Sequence, residues 1–370
     1  MQNLEDAVRL RLAPHYADLL ERHGVHALVQ NRGSPDEASE VLGHEIAQIE
    51  RFFGFARESA GSPAWDRLLV RFACDCGAFF SLRGRYTQRI AWAQAGLEAA
   101  RRIGDSEAES ILHTGMANIQ FRTGRYEEAL ASYRRAYQLS SHAGSTAHMA
   151  VDLANMGRTM EVMGDFTGAL GLYQQALEIR EALGDVLGVA RVRAAIGDVQ
   201  NQLGALDDAQ AHYEHALDVT RAADDPVMLS RLLANLGTLA HKRCDYVGAV
   251  DLYRQSLVIK ERLGDERGRA TVLGNLGNPL ASLGCAAEAE ASYRAAIALA
   301  ETLGDAQTFA HQSWNLGRLL EEQGLLAEAA PLVERSVRWC EQVGHSELGE
   351  RRSLLDDIEL RLASRMSGGR

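Results

Sequence analysis

Residues 144–183 read GSTAHMAVDLANMGRTMEVMGDFTGALGLYQQALEIREAL. In the first half, Val151, Leu153, Met156, Met160 and Met163 recur at the spacing of one helix face. Gly164-Asp165 interrupts the pattern, and glycine suits the left-handed position that closes a helix. A second amphipathic stretch follows, with Phe166, Ala169, Leu170, Tyr173, Ala176, Leu177 and Ile179 on its apolar side. Leu183-Gly184-Asp185 ends that stretch and offers Asp185 as the N-cap of the next helix. The segment predicts a helical hairpin.

The pattern returns every 40 residues. Gly104, Gly144, Gly184, Gly264, Gly304 and Gly344 form one series, and Gly84, Gly124, Gly164, Gly204, Gly284 and Gly324 a second. A third is Gly77, Gly157, Gly197, Gly237, Gly277 and Gly317, with Ala117 in its gap. Ala129, Ala169, Ala209, Ala249, Ala289 and Ala329 keep step, as do Tyr133, Tyr173, Tyr213, Tyr253 and Tyr293. The chain has 34 glycines among 370 residues, and each costs about 1 kcal/mol in a helix interior. Two of the series sit at turns, where that cost vanishes. The third sits in mid-helix, where close helix approach must justify it: Gly or Ala against Ala, with the Tyr ring wedged alongside. Asp225-Pro226 replaces one Gly-Asp pair, with Asp as cap and Pro at the first helical position.

The run Asn155-Met156-Gly157, followed by Ala169, Tyr173 and Ala176, resembles the tetratricopeptide repeat (TPR). In that family a small residue on helix A is followed at these offsets by Ala, an aromatic and Ala on helix B. The resemblance covers residues 64–343 as seven units: 64–103, 104–143, 144–183, 184–223, 224–263, 264–303 and 304–343. It thins at both ends, where Arg89 stands in an Ala position, Val333 replaces Tyr, and Pro331 falls inside helix B. It implies an all-α fold, a right-handed α-solenoid of antiparallel helix hairpins. The 40-residue period exceeds the usual spacing of about 34. With its LGD and NLG signatures it is similar to the longer repeats of kinesin light chains, Pins-type adaptors and bacterial signalling proteins.

Residues 1–63 leave the register and read as an N-terminal helical capping region: LEDAVRLRLAPHYADLLERHG, then a helix opened by Ser34-Pro35. Their order before FFSLRGRYTQRIAWAQAGLEAARRIGD resembles the join between the winged-helix region and TPR array of bacterial STAND-class (NB-ARC-like) NTPases. No GxxxxGK[ST] motif is present, and neither Lys242 nor Lys260 has the required glycines. The resemblance therefore implies a sensor module with an NTPase domain upstream. Residues 344–362 read as a C-terminal capping helix, polar on one side as a solenoid end requires, and 363–370 as a flexible tail.

Composition narrows the function classes. The net charge of −11 argues against non-specific nucleic-acid binding, which needs a cationic surface. No apolar run approaches the ~18 residues of a membrane span. The N-terminus MQNLEDAVRL lacks a basic-then-apolar leader. Cys74, Cys76, Cys244, Cys285 and Cys340 are odd in number and lack zinc spacing, so they read as buried or half-buried thiols in a reducing, cytoplasmic setting.

The face of helix A opposite the mid-helix glycines should line the concave side of such an array. In 144–183 it carries Asn155 and Arg158, and in 184–223 Arg191 and Asp198. In 224–263 it carries Arg231, Asn235 and Lys242; in 264–303, Asn275 and Asn278; in 304–343, His311, Trp314, Asn315 and Arg318. Asn155, Asn235, Asn275 and Asn315 form a ladder broken by Ala195. Asn offers both a donor and an acceptor to the backbone of an extended peptide, and Arg can grip carboxylates through two donors. In related TPR proteins Asn and Arg on this face hold peptides, so the resemblance implies a protein or peptide partner, and the Arg and Lys side chains suit carboxylate or phosphate groups on it.

Enzyme signals are poor. His212 and His215 lie one helical turn apart, but nothing completes a metal set. Cys74 and Cys76 point ~200° apart on a helix, so one should face the core. No HExxH or GxSxG run occurs. The expectation is a non-enzymatic interaction scaffold without cofactor or metal. The alternative is a small-molecule or metabolite sensor, or an accessory subunit, that uses the superhelix interior.

Overall fold

A computed structural model describes residues 2–23, 35–76, 80 and 85–367. Gly77, Gly84, Ser34 and residues 368–370 lie outside the described residues. Among the described residues there are seventeen α-helices and no strand. The first three are α1 (Gln2–His23), α2 (Pro35–Glu58) and α3 (Pro63–Asp75), followed by α4 (Tyr86–Ile103). Six hairpins follow: α5 (Ser106–Arg122) with α6 (Tyr126–His142), α7 (Thr146–Val162) with α8 (Phe166–Ala182), and α9 (Val186–Leu203) with α10 (Leu206–Ala222). Next come α11 (Pro226–Lys242) with α12 (Tyr246–Arg262), α13 (Glu266–Ser282) with α14 (Ala286–Leu303), and α15 (Ala306–Glu322) with α16 (Leu326–Val343). The last helix, α17 (Leu348–Ser367), runs five residues past the expected boundary at 362.

The turns follow from the residues placed there. Asp105, Asp165, Asp185, Asp225, Asp245, Asp265 and Asp305 each accept the backbone N–H three residues on, at 2.9–3.1 Å. A cap of this kind contributes about 1 kcal/mol. The turn glycines take left-handed φ, as at Gly164 (φ 84°) and Gly184 (φ 66°). Where the two glycine series break, Asp224 (φ 52°) and Cys244 (φ 62°) adopt the same conformation. The backbone period thus survives where the sequence period fails.

The chain forms two compact units, Met1–Val192 and Arg193–Arg370. In the first, α1 and α2 pack with α3 around an aromatic core. Phe53 stacks on Trp92 at 3.8 Å, with Phe72 and Phe80 edge-on to the same indole. In the second, Tyr253, Tyr293, Leu316, Val337 and Ile358 belong to one apolar core.

Mid-helix glycines make room for rings. A Cβ at Gly157 would lie 2.9 Å from the Tyr173 ring, and one at Gly277 2.4 Å from Tyr293. The close neighbour is thus the Tyr itself, more than an opposing Ala. Cys76 is buried and Cys74 half-buried, as their spacing predicts, and Cys340 is buried. The expectation for the other two cysteines is corrected: Cys244 and Cys285 are exposed, because they occupy hairpin turns.

Candidate functional site

In the second unit two rungs of the asparagine ladder are already engaged. Asn235 Nδ2 donates to Asp198 Oδ1 at 2.6 Å, and Asn315 Nδ2 donates to Gln312 Oε1 at 3.2 Å and Asn278 Oδ1 at 3.5 Å. Tyr213 and Tyr293 donate their hydroxyls to the same two acceptors, Asp198 and Asn278, each at 2.7 Å. Tyr253 and Thr238 pair at 2.9 Å in the equivalent place. Asp198 and Asn278 therefore join two helix-A elements and one helix B through a single oxygen. Burial pushes the Asp198 carboxyl up, opposed by Arg231 and by the Tyr213 hydroxyl.

Other stripe residues are exposed or less engaged. Arg231 is exposed, lies 3.2 Å from the Met228 sulfur and acts through its charge on the Asp198 carboxyl. Asn275 makes no side-chain hydrogen bond to the described residues. Arg318 is exposed and lies 3.9 Å from Glu322. Lys242, also exposed, donates to the Asn201 carbonyl at 2.8 Å, near the end of α9. A pocket of about 320 Å³ opens beside these groups, bounded by His241, Asn278, Ser282, Tyr293, Asn315, Arg318 and Glu322. The His241 Nδ1 is buried without a partner, and burial lowers its basicity.

Two expected groove residues are placed otherwise. Trp314 is only 8% exposed: it belongs to the apolar core that includes Val337 of α16 and Ile358 of α17, and the Arg351 guanidinium sits 5.4 Å from its ring centre. It is a core residue, which corrects its assignment to the groove. His311 is half-buried against the rings of Trp339 and His345, at 5.5 and 5.8 Å.

In the first unit Asn155 carries no side-chain hydrogen bond to the described residues. Arg158 is exposed, with its guanidinium 4.7 Å above the Phe121 ring. Arg191 is exposed. Tyr133 donates to Asn118 at 2.6 Å, whereas Tyr173 reaches Glu161 at 2.9 Å because Arg158 holds the position that Asn118 fills in the preceding hairpin. Sequence reading missed this tyrosine role. The signal was available as a polar residue one place after each small mid-helix residue and fifteen before each Tyr.

Chemically the stripe presents guanidinium and amide donors. Among the described residues no group of three His, Cys, Asp or Glu could hold a metal ion. His215 is exposed and His212 half-buried, with the His212 basicity lowered by burial and by Arg193. No helix among the described residues is long and apolar enough to cross a membrane.

The fold defines a helical-repeat interaction array. The tetratricopeptide repeat family matches residues 146–222 and again 112–142, and the chain is a tetratricopeptide-type α-solenoid. No curated protein sequence matches it. Among solved structures, BtubC (BKLC) from P. vanneervenii is similar at 21% identity and TM-score 0.52, over 59% of this chain and 92% of that one. A Rap protein complexed with Competence and Sporulation Factor is similar at 15% identity and TM-score 0.57, over 88% of this chain and 99% of that one. A STAND protein with a tetratricopeptide repeat sensor from Pyrococcus horikoshii is similar at 15% identity and TM-score 0.60, over 93% of this chain and 54% of that one.

Proposed function

We propose that the protein is a non-catalytic scaffold that holds an extended, acidic protein segment on the helix-A face of its second unit. The observation that carries this reading is the set Arg231, Asn275 and Arg318. These side chains share one register stripe: Asn275 makes no side-chain hydrogen bond to the described residues, exposed Arg231 meets the Met228 sulfur, and exposed Arg318 has one loose ion pair with Glu322 at 3.9 Å. These contacts are weak or use only part of each donor set, so a ligand can engage the groups at little cost in displaced protein contacts. Asn235 and Asn315 have a different role: they bond across to Asp198 of α9 and Asn278 of α13, between the helices that present the open groups.

The test is selection of random dodecapeptides on the purified protein, with counter-selection on Arg231→Glu/Arg318→Glu. Acidic segments should be enriched on the wild type and lost on the variant, with helicity unchanged. Equal enrichment on both would refute the reading. Binding should fall mildly with salt, since few charges are neutralised.

We also read the array as the ligand-sensing part of a STAND-type regulator. Support comes from the likeness to the sensor-bearing protein of Pyrococcus horikoshii, of which this chain spans 54%, and from the helical segment ahead of the repeats. The check is whether the gene encodes a Walker A region upstream of Met1.

A further inference from the structure

Between the hairpins α5–α6 and α7–α8 four polar side chains meet in the interior. The place of Asp152 is filled by Leu112, Val192, Leu232 and Val272 in other hairpins, with Gln312 the other polar occupant. Thr114 stands where Ala154, Ala194 and Ala234 occur; Ser110 shares its place with Ser230 as well as Ala150, Ala190 and Ala270, and Ser140 shares its place with Thr220, Arg180 and Lys260 as well as Ala100 and Ala300. Asp152, Ser110 and Ser140 are each 1% exposed or less.

These side chains are bonded in a row. Thr114 Oγ1 donates to Asp152 Oδ1 at 2.6 Å, and Ser140 Oγ lies 3.2 Å from Asp152 Oδ2. Ser140 and Ser110 hydroxyls are 2.6 Å apart, and Ser110 Oγ lies 3.0 Å from the Ala136 carbonyl. The row from Asp152 Oδ2 to the Ala136 carbonyl contains three contacts, but the two serines supply only two hydrogens. With Asp152 ionised, one contact goes unserved. With a proton on Oδ2, the acid donates to Ser140, Ser140 to Ser110, and Ser110 to the carbonyl, so every contact is filled.

We propose that this cluster is a proton-operated joint. Uptake of a proton at Asp152 tightens α7 against α5 and α6, and its release loosens the helix that carries Asn155 and Arg158. The titratable and charged groups facing Asp152 are His148, one turn earlier on α7 and 3.5 Å from Glu107 of α5, and Tyr133 of α6. Burial holds the Asp152 carboxyl up at about 6, against the opposing pull of Thr114, Ser140 and His148. The folded pKa therefore exceeds the unfolded one. The joint is strongest in acid and weakens as pH rises through about 6. The inference does not rest on the peptide-binding reading.

Two measurements test it. The Asp152 carboxyl carbon should titrate with an NMR midpoint near 6, and a midpoint below about 4.5 would overturn the proposal. Amide exchange along α7, corrected for intrinsic rates, should become about tenfold faster between pH 5 and 7 in the wild type than in Asp152→Asn. Parallel pH profiles in the two proteins would equally overturn it. Comparison with the variant removes the titration of the histidines common to both, and the NMR midpoint needs only the wild type.

Discussion

Asn235 donates its side-chain amide to the Asp198 carboxylate across 2.6 Å, and so ties α11 to α9 through an oxygen that also accepts the Tyr213 hydroxyl. Two donors on one carboxylate oxygen make a charge-assisted junction. Removing the acceptor strands both donors, whereas removing Asn235 leaves Asp198 with Tyr213. Asp198→Ala should therefore cost about 2–3 kcal/mol and Asn235→Ala about 1 kcal/mol. Urea unfolding of both single variants and the double variant checks this, with a coupling energy near 1 kcal/mol expected from the cycle. Additive losses would show that the amide contributes nothing through Asp198.

Two glycine substitutions should move stability in opposite directions. Gly277→Ala places a methyl 2.4 Å from the Tyr293 ring, whose hydroxyl is anchored on Asn278 at 2.7 Å. The ring cannot swing away without breaking that bond. Ala117 holds the same register place beside Tyr133, so a hairpin can widen to accept a methyl. The expected loss is accordingly moderate, about 1–2 kcal/mol. Gly171 lies exposed within α8 with nothing near its would-be Cβ, and Gly171→Ala should gain up to about 1 kcal/mol. Paired thermal melts decide both signs.

Cys244 occupies a left-handed turn position that Gly164, Gly204 and Gly284 fill elsewhere. A side chain there is strained, at a cost of about 1 kcal/mol. Cys244→Gly should raise the unfolding midpoint in urea with an unchanged denaturant slope. A fall would show that the thiol's contact with the Tyr246 hydroxyl outweighs the strain.

The repeats, the turn glycines, the Asp caps and the hairpin boundaries were legible because each depends on local chemistry repeated every 40 residues. What lay beyond reach was the division of labour within the helix-A stripe. Periodicity places Asn155, Asn235, Asn275 and Asn315 on one face, but whether an amide is engaged depends on the residue that the neighbouring helix brings opposite. Asp198 and Asn278 supply acceptors to Asn235 and Asn315, while Asn155 and Asn275 have none among the described residues. Trp314 was misread for a similar reason. A register argument assumes an open groove beside every helix A, whereas Trp314 lies in a core shared with Ile358 of α17 and under the Arg351 guanidinium. The Phe53–Trp92 stack, outside the repeat altogether, left no periodic trace.

His113 on α5 gives the last prediction, opposite in sign to that for Asp152. Both its ring nitrogens are buried without hydrogen-bond partners. Burial lowers its basicity below the ordinary value of 6.5, and Arg101 and Arg135 lower it further, against Glu109. The unfolded chain therefore binds this proton more readily than the folded one. Stability from His113 is present above pH 6.5 and is lost as pH falls toward the folded value. His113→Leu removes an unpartnered polar ring and its titration together. Its melting temperature should equal or exceed that of the wild type at pH 7.5, and it should decline less between pH 6.5 and 5. A variant that loses stability equally at both pH values would show that the imidazole is held by packing alone.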